Sequence, residues 1–373
     1  MANRIKAARQ ELRWSQSRLI AELERVAARK GATLPSRETL KSRVSRWENN
    51  HAKPDDFYRE LLREALGLDD IELGFAEVAV DFASSAADEL RAKLSLETLT
   101  NDSLLEALRT QTEAIRRQDR QFGAGALLEQ MRGHINNLEQ HLTLAVFESR
   151  RQPLAWQLAD AAALAGWQAL DLGAIDQAWR FFETASKAAQ QASDEALYAF
   201  ARLEQAHVLM ELDQARAAAD LAREVWGQNH ARVPDAMRCW MAAATSEMLA
   251  DGGERSTSLE LLHAAESSVE ALDTADCPPY LVFNATHLQR WIGHILEILG
   301  DAAAESRLRQ AAAEMDGTFT RASASLKLDL AGALLRRGER EEAKGLICEA
   351  ELLARRVGSR RQLGRVSRLR TTA

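Results

Sequence analysis

The stretch LAGWQALDLGAIDQAWRFFETA, residues 164–185, decides the fold of the chain. Measured from Gly173, the offsets −7, +5, +9 and +12 fall on Gly166, Ala178, Phe182 and Ala185. Around Gly338 the same offsets fall on Ala331, Ala343, Ile347 and Ala350. Small residues at these positions let two antiparallel helices approach closely, with the anchor residue in the turn between them. The stretch therefore predicts a helical hairpin that recurs along the chain.

Three further anchors, Asp213, Gly253 and Gly300, fit this template in part. Around Asp213, the template offsets fall on the small residues Ala206, Ala218 and Ala222. Around Gly253, they fall on Ser258, Leu262 and Ala265. Gly300 brings Gly293 and Ala312, but Glu305 and Arg309 break the pattern. The anchors are spaced by 40, 40, 47 and 38 residues, which favours a solenoid of helical hairpins. The alternative is that Ala-rich helices match a small-residue template by chance.

The composition favours an all-α protein without a cofactor. The chain has 373 residues, of which 46% are hydrophobic, 28% are charged and only six are Pro. The three Cys, at 239, 277 and 348, match no zinc or disulfide spacing, and the His pairs 134/141 and 287/294 lie seven residues apart. Without an apolar leader or a long apolar run, we expect a cytoplasmic protein with no membrane contact and no metal.

The charge is distributed unevenly along the chain. Residues 1–68 carry 15 Lys and Arg against nine Asp and Glu, although the whole chain has a net charge of −7. Helix start and stop signals in this segment predict four or five short helices. We therefore predict a basic domain at 1–68, a connector at 69–100, linking helices at 101–153 broken at Pro153, and a repeat domain at 154–373. A basic head on an acidic body favours a polyanionic partner for the head.

One helix of the basic head is a candidate for reading double-stranded DNA. After Pro35, the residues Leu40, Val44 and Trp47 form an apolar stripe, which leaves the basic and hydroxyl side chains for solvent or DNA. From their nearness to the helix start we predict base contacts from Lys41, Ser42, Arg43 and Ser45. We assign Gln16, Arg18 and Arg46 to phosphates, and Arg37 to the same DNA-facing surface. The alternative is a basic helix face that is merely solvated.

This head resembles the Cro/C1-type (XRE-family) helix-turn-helix domain. Ser15 and Gln16 stand where that family opens its second helix, and Val44 to Glu48 (VSRWE) match the end of its recognition helix. Pro54 and the closing LLREALGL also match. The chain departs from the family in the connection VAARKGATLPSRET, residues 26–39, which is longer than the usual tight turn. This difference leaves the register of the recognition helix open.

The second half resembles tetratricopeptide (TPR) repeats. That resemblance implies a concave groove lined by residues at −13, −10, −6 and −3 from each anchor. On this chain the pattern gives the ligand-groove candidates Trp167, His207, Trp240, Glu247, His287, Arg290 and His294. An apolar groove with a few polar side chains suits a short peptide or a small molecule. The alternative is that the aromatic residues belong to the core. The basic end, Arg355–Arg370, fits either a DNA contact or a disordered tail.

As a whole, the chain resembles actinobacterial XRE-type regulators with a C-terminal TPR array, and in outline the peptide-sensing RRNPP regulators. The resemblance implies a homodimeric transcription regulator whose repeat domain dimerises and binds a peptide or small-molecule effector. A second hypothesis is a protein-binding adaptor whose head no longer binds DNA. We find no nucleotide-binding, hydrolase or metalloprotease motif, so we expect no enzymatic activity.

Overall fold

The computed structural model describes residues 4–70, 72–75, 88, 91, 102–270, 272, 277–281, 283–316 and 319–372. The regular structure within these ranges is α-helical, which confirms the predicted all-α class. The chain divides into two compact units, Met1–Glu89 and Leu90–Ala373. No helix in the described ranges has the length and apolarity that a membrane span requires. Most of the predicted connector at 69–100 lies outside the described residues.

The first unit folds around one small apolar core. Its described helices are α1 (Ile5–Glu11), α2 (Gln16–Arg29), α3 (Arg37–Glu48) and α4 (Asp56–Leu66). The side chains of Ser15, Ser36 and Asp55 each accept a hydrogen bond from the N–H three residues on and so cap α2, α3 and α4. The core includes Leu19, Leu23, Leu40, Val44, Trp47, Leu61 and Leu62. The sequence signals thus start these helices where the structure has them.

Two apolar side chains that the helix pattern assigns to this core lie at the surface. Leu12 is 43% exposed because α1 ends at Glu11, so Leu12 no longer continues its apolar face. Phe57 is 41% exposed, and Tyr58 is buried in its place against Trp47, with ring centroids 4.9 Å apart. Tyr58 lies three and four residues before the buried Leu61 and Leu62 and so continues their face of α4.

The second unit consists of consecutive helices that pack against their neighbours in sequence. Two helices come first, α5 (Asp102–Phe122) and α6 (Leu127–Leu144). Helical hairpins follow, namely α7 (Glu148–Asp171) with α8 (Ile175–Gln191), α9 (Glu195–Glu211) with α10 (Ala215–Asn229), α11 (Asp235–Asp251) with α12 (Arg255–Val269), α13 (Ala285–Ile298) with α14 (Ala304–Glu314), and α15 (Thr320–Arg337) with α16 (Arg340–Val357). The chain closes with α17 (Arg360–Thr372).

Each anchor residue of the predicted repeat lies in the turn of one hairpin. All five have a positive φ, at Gly173 (74°), Asp213 (57°), Gly253 (85°), Gly300 (67°) and Gly338 (81°). This left-handed conformation suits Gly and is tolerated by Asp, which explains the residue types found there. At offset −7 in the first hairpin, a Cβ added to Gly166 would lie 2.6 Å from the Phe182 ring. The predicted hairpin solenoid is confirmed, and its small residues permit this close packing.

The fourth hairpin, α13–α14, departs from the template by one residue. Ala312, which the template assigns to the buried face, is exposed, and Ala304, Leu308 and Ala311 are buried instead. The turn after Gly300 is longer here, because the Asp301 side chain accepts from the N–H of Ala303 before α14 begins. Arg309 is exposed and pairs at 2.8 Å with Glu305, which is half-buried.

The predicted break at Pro153 is wrong, because α7 continues through this residue. Proline there removes one backbone hydrogen bond, that to residue 149, and crowds its carbonyl. The rest of α7 is almost entirely buried, from Leu154 to Asp171. This packing outweighs the local cost of proline, since helices in proteins are stabilised mainly by burial. The predicted boundary between linking helices and repeats therefore falls inside α7.

The basic end of the chain is ordered rather than a disordered tail. Residues 360–372 form α17, which buries Gln362 and Val366 and packs against α7, α15 and α16. Ser359 precedes α17 and donates to the Asp171 carboxylate at 2.5 Å, across 188 residues of sequence. Helix α17 therefore ties the last hairpin to the first.

Replacement of Gly123 by Ala should destabilise the second unit. Gly123 has φ 83°, and an added Cβ would lie 2.0 Å from the carbonyl oxygen of Val357 at the end of α16. We expect the free energy of unfolding in urea to fall by about 1–3 kcal/mol, from strain and crowding together. Gly125→Ala is the matched control, because no atom of the described segments around it lies within 4 Å of that Cβ. Equal stability of the two variants would contradict the close approach of these segments.

Candidate functional site

The surface of α3 holds most of the predicted DNA contacts. Leu40, Val44 and Trp47 are buried, as the apolar stripe predicts. Arg37, Lys41, Ser42, Arg43 and Arg46 are exposed, and Ser45 is half-buried. The structure therefore brings the α3 candidates to one accessible surface, and their contacts with DNA stay a prediction.

A buried ion pair fixes α3 against α1 and α2. Glu48, at the end of α3, accepts from Arg9 Nε at 2.6 Å and from Gln16 Nε2 at 2.8 Å. Arg9 also donates to the carbonyl of Trp14 at 2.7 Å. Burial opposes ionisation of Glu48, but the hydrogen bonds from Arg9 and Gln16 outweigh it and lower the pKa of this carboxyl. Gln16 thus holds α3 in place, in addition to its predicted place at a phosphate.

The cations of the first unit fall into two groups. Eight form ion pairs with carboxylates, and these are Arg9, Arg18, Arg25, Arg29, Lys30, Arg37, Arg59 and Arg63. The others make no ion pair with any described residue, and these are Arg4, Lys6, Arg13, Lys41, Arg43, Arg46 and Lys53. Three of this second group lie on α3. The helix thus presents positive charge that the described part of the unit does not neutralise.

The positions around α3 distinguish Arg46 from Arg43. Ser42 and Arg46 lie one turn apart and two residues from buried Val44, which places them about 200° around the helix from it. They therefore occupy the side of α3 opposite the core. Arg43 lies on the flank, with its guanidinium carbon 5.1 Å from the centroid of the Tyr58 ring. This geometry favours Arg46 and Ser42 for the deepest contact, whereas the spacing in the sequence favours Arg43.

The second unit contains a cavity of about 640 Å³ lined by helices from separate hairpins. Its walls come from the first helix of every hairpin (α7, α9, α11, α13 and α15) and from α5 and α17. All seven groove candidates line it, and these are Trp167, His207, Trp240, Glu247, His287, Arg290 and His294. A cavity of this size suits a small molecule or a few residues of a peptide. The repeat pattern thus predicts the lining, and the ligand contacts themselves stay a prediction.

Residues at offset −6 from successive anchors form a connected row across the cavity. The rings of Trp167 and His207 meet edge to face at 6.3 Å. His207 Nε2 lies 3.6 Å from Glu247 Oε2, and Glu247 Oε1 lies 3.3 Å from His294 Nε2. Among the described residues, no group of three His, Cys, Asp or Glu is arranged to hold a metal ion. The first helices of four successive hairpins, α7, α9, α11 and α13, are therefore linked through side chains that line the cavity.

This row continues to α15 and α17 through Asp329. His294 Nδ1 lies 2.9 Å from Asp329 Oδ1, and the same carboxylate accepts from Arg365 of α17. Asp329 is fully buried, so its negative charge depends on these two cations. We call Glu204, His207, Glu247, His294, Asp329 and Arg365 the charged row.

The charged row shifts the pKa values of its members in opposite directions. Burial disfavours the charge of His294, but the Asp329 and Glu247 carboxylates outweigh burial and raise its pKa to about 10. Burial likewise opposes the ionisation of Asp329 and Glu247, but the neighbouring cations outweigh burial and lower the pKa of both carboxyls. Glu204 lies at the end of the row. Burial raises the pKa of its carboxyl by more than the charge of His207 lowers it. The pKa shifts therefore favour the charged forms of His207, Glu247, His294 and Asp329 and disfavour the charged form of Glu204.

Other ion pairs close the ends of the cavity. Arg116 of α5 donates to Asp160 of α7 at 2.5 Å. Arg321 of α15 pairs with Asp119 of α5 and lies 3.3 Å from Asp171 of α7. Arg361 of α17 donates to Glu211 at 2.5 Å, and its guanidinium lies 5.4 Å from the Trp167 ring centroid. These contacts join α5 to the first and last hairpins and α17 to the first and second hairpins.

Aromatic side chains form one wall of the cavity. Phe200 lies 4.9 Å from both Trp240 and Tyr280, measured between ring centroids, and Trp240 lies 6.1 Å from Trp291. On the neighbouring wall, the His287 ring meets Phe319 edge to face at 5.1 Å. Burial and the charges of Arg290 and Arg120 lower the pKa of His287 to about 4, so this imidazole is neutral. The cavity thus combines apolar and cationic surface.

Sequence reasoning missed the residues contributed from outside the repeat template. Asp329 lies at −9 from its anchor, and Arg120, Arg321, Arg361 and Arg365 lie on α5, at the start of α15 or on α17. One signal was available, since residues 355–373 carry seven Arg and no acidic residue in an acidic half of the chain. Such a segment would be expected to pack on carboxylates, and α17 does so.

High pH should destabilise the second unit through His294. The pKa of His294 in the folded protein, about 10, lies above its ordinary value near 6.5. Its contribution is therefore complete below about pH 6.5 and is lost as the pH rises through about 10. We expect His294→Gln to lower the unfolding midpoint at pH 7 and to differ much less from the natural protein above pH 10.

His263→Gln is the control for this comparison, because His263 is exposed on α12 and outside the charged row. Thermal unfolding of the three proteins at pH 6.5, 8, 9 and 10.5 would measure the effect. If the difference between His294→Gln and the natural protein stayed constant over this range, the protonated state of His294 would be refuted.

Comparisons with known proteins give one structural likeness. No protein-family model matches the chain, and no curated protein matches its sequence. Among solved structures, the chain is similar to the crystal structure of Bacillus thuringiensis PlcR in complex with the peptide PapR7 and DNA. The identity is 14%, the match covers 79% of this chain and 93% of that chain, and the TM-score is 0.36.

Proposed function

We propose that the chain is a ligand-responsive transcription regulator that binds double-stranded DNA through α3 and acts by binding rather than catalysis. The observation that carries this proposal is the exposed surface of α3, where Lys41, Arg43 and Arg46 have no ion-pair partner among the described residues. Eight other cations of the same unit are paired. Unpaired cations on one exposed helix are what phosphate and base-edge recognition require.

The assignment of the head to the Cro/C1-type regulators rests on residues within α2 and α3. Ser15 caps α2 and Gln16 opens it, and Val44 to Glu48 end α3 with Val44, Trp47 and Glu48 buried. One recognition helix contacts few base pairs, so we propose a homodimer that reads the two half-sites of an operator. We propose that this homodimer acts in the cytoplasm. We propose that the repeat domain supplies the dimer contact.

The cavity of the second unit is the proposed effector site. Its walls come from all five hairpins and from α17, so one ligand would contact several of these elements at once. A peptide or small molecule bound there would favour one arrangement of the hairpins over another. Such a shift could alter the spacing of two heads in a dimer, to which DNA affinity is sensitive.

Selection from random double-stranded DNA tests the DNA-binding function. The purified full chain is mixed with a random library, and retained DNA is sequenced after several rounds at about 0.15 M salt, a concentration at which specific sites stand out from non-specific binding. We expect one enriched palindromic motif and an affinity that falls with increasing salt. If no motif is enriched, the DNA-binding proposal is wrong, and stoichiometric capture of a protein partner would then favour the adaptor hypothesis.

A further inference from the structure

Arg290 of α13 is a charged side chain of the cavity without an ion-pair partner in the described part of the chain. It lines the cavity, yet it makes no hydrogen bond or ion pair with any described residue. Its Nε atom is buried and unsatisfied. Burial outweighs the nearby Asp329 and Glu247 and lowers the pKa of this guanidinium. A desolvated cation without a counter-ion destabilises the empty protein.

Four other arginines that line the cavity have a carboxylate partner, although Nε of Arg116 and Nε of Arg321 also lack a hydrogen bond. Arg116, Arg321, Arg361 and Arg365 each pair with a carboxylate on a neighbouring helix. Arg120 of α5 resembles Arg290, since it lines the cavity and forms no ion pair with a described residue. Both charges lie close enough to His287 to disfavour its protonation. The α5–α13 side of the cavity therefore holds two cations that form no ion pair with a described residue, and nearby carboxylates act on them only at longer range.

The chemistry around Arg290 restricts the anion that could bind there. A guanidinium offers two parallel N–H groups that match the two oxygens of a carboxylate. The negative charges of Asp329 and Glu247 also reach Arg290 and would repel an anion bound there. A singly charged anion is repelled less than a doubly charged phosphate and therefore fits this site better. The cavity that Arg290 lines also has aromatic surface, with Trp291, Trp240, Tyr280 and Phe319 among its lining residues.

We propose that the cavity binds an organic monocarboxylate with an apolar or aromatic body, and that Arg290 takes its carboxylate as a counter-ion. Arg120 strengthens the attraction from α5, and the wall of Phe200, Trp240, Tyr280 and Trp291 contacts the body of the ligand. This inference rests on the proposed function, because it names the chemical class of the effector. A peptide with a free C-terminus and a small aromatic acid share this chemistry.

Matched probes with and without a carboxylate test the proposal. Dansyl-phenylalanine and dansyl-phenylalaninamide are titrated into the full chain, and binding is followed by dansyl fluorescence. We expect the carboxylate to bind about tenfold or more tightly than the amide, as a charge-assisted bidentate hydrogen bond implies. In Arg290→Gln the two probes should bind within about twofold of each other, because the paired charge is gone.

Arg368→Gln is the matched control, because Arg368 lines the same cavity but is exposed on α17. This variant should retain the preference for the carboxylate. The proposal is overturned if the natural protein binds both probes equally, if neither probe binds, or if Arg290→Gln keeps the full preference.

Thermal unfolding of the empty proteins separates a binding role of Arg290 from a structural one. Because an unpaired buried charge is removed, Arg290→Gln should unfold at the same temperature as the natural protein or a higher one. A lower midpoint would show that Arg290 stabilises the fold and would count against the proposal.

Competition against bound dansyl-phenylalanine distinguishes the two sources of the carboxylate. One pool holds random heptapeptides with a free C-terminus, a second holds the same peptides with an amidated C-terminus, and a third holds small aromatic acids. Displacement by the first pool alone indicates a peptide, and displacement by the third alone indicates a small acid. Equal displacement by the free and amidated pools would refute the carboxylate requirement. If the probe preference holds but DNA selection yields no motif, only the proposed function fails.

Discussion

Arg46→Ala is expected to relax the base preference of the selected DNA site and to lower affinity for it by roughly 1–3 kcal/mol, the usual cost of losing one bidentate base contact. The reason is geometric, since Arg46 lies opposite the buried stripe of α3 and has no carboxylate partner among the described residues. A guanidinium there can enter the major groove further than one on the flank. The measurement is a gel-shift titration against the selected site and against single-base variants of it.

Arg43→Ala should behave differently from Arg46→Ala. Arg43 lies on the flank of α3 over the Tyr58 ring, where phosphates of a docked duplex would be closer than base edges. Its loss should weaken binding to all sequences alike and reduce the salt dependence by about one counter-ion. Arg29→Ala is the matched control, because Arg29 is exposed on α2 and pairs with Glu64. Should Arg43→Ala relax specificity and Arg46→Ala not, the sequence-based assignment of base contacts would be the correct one.

The repeat architecture could be predicted because it depends on local rules. A turn residue with positive φ and small residues at fixed offsets are visible in sequence, and Gly173 and Gly338 identify both ends of the array. The same offsets predicted the row of Trp167, His207, Glu247 and His294. The error at Ala312 arises in α14, where the buried residues lie one position nearer to the anchor than in the template and the turn at Asp301 is longer than in the other hairpins. The sequence periodicity therefore predicted the positions of the helices more reliably than it predicted which side chains are buried.

Contacts between distant segments could not be predicted in this way. Arg9 and Glu48 lie 39 residues apart, and Arg365 and Asp329 lie 36 apart on different helices. No local pattern links such pairs, because their distance depends on how the hairpins stack. The unpaired state of Arg290 has the same origin, since it depends on which carboxylates the stacked helices leave within reach.

Asp329→Asn is expected to destabilise the second unit by about 3–5 kcal/mol, the usual cost of removing one partner of a buried ion pair. Asp329 is fully buried between His294 and Arg365, and its neutral isostere would leave two cations without their counter-ion. The measurement is urea unfolding of the full chain at pH 7. Asp220→Asn is the matched control, because Asp220 pairs with Arg223 at the surface, where such pairs contribute less than about 1 kcal/mol.

The pH dependence of this loss would identify which partner of Asp329 matters more. His294 gives up its proton near pH 10, and above that pH the natural protein has already lost the His294–Asp329 ion pair. The destabilisation by Asp329→Asn should therefore be smaller at pH 10.5 than at pH 7, and the part that remains reports the pair with Arg365. Since Arg365 lies on α17, hydrogen exchange in Arg360–Thr372 should quicken in the variant at both pH values. Unchanged exchange there, with a loss below about 1 kcal/mol, would mean that Asp329 does not hold α17 against the repeats.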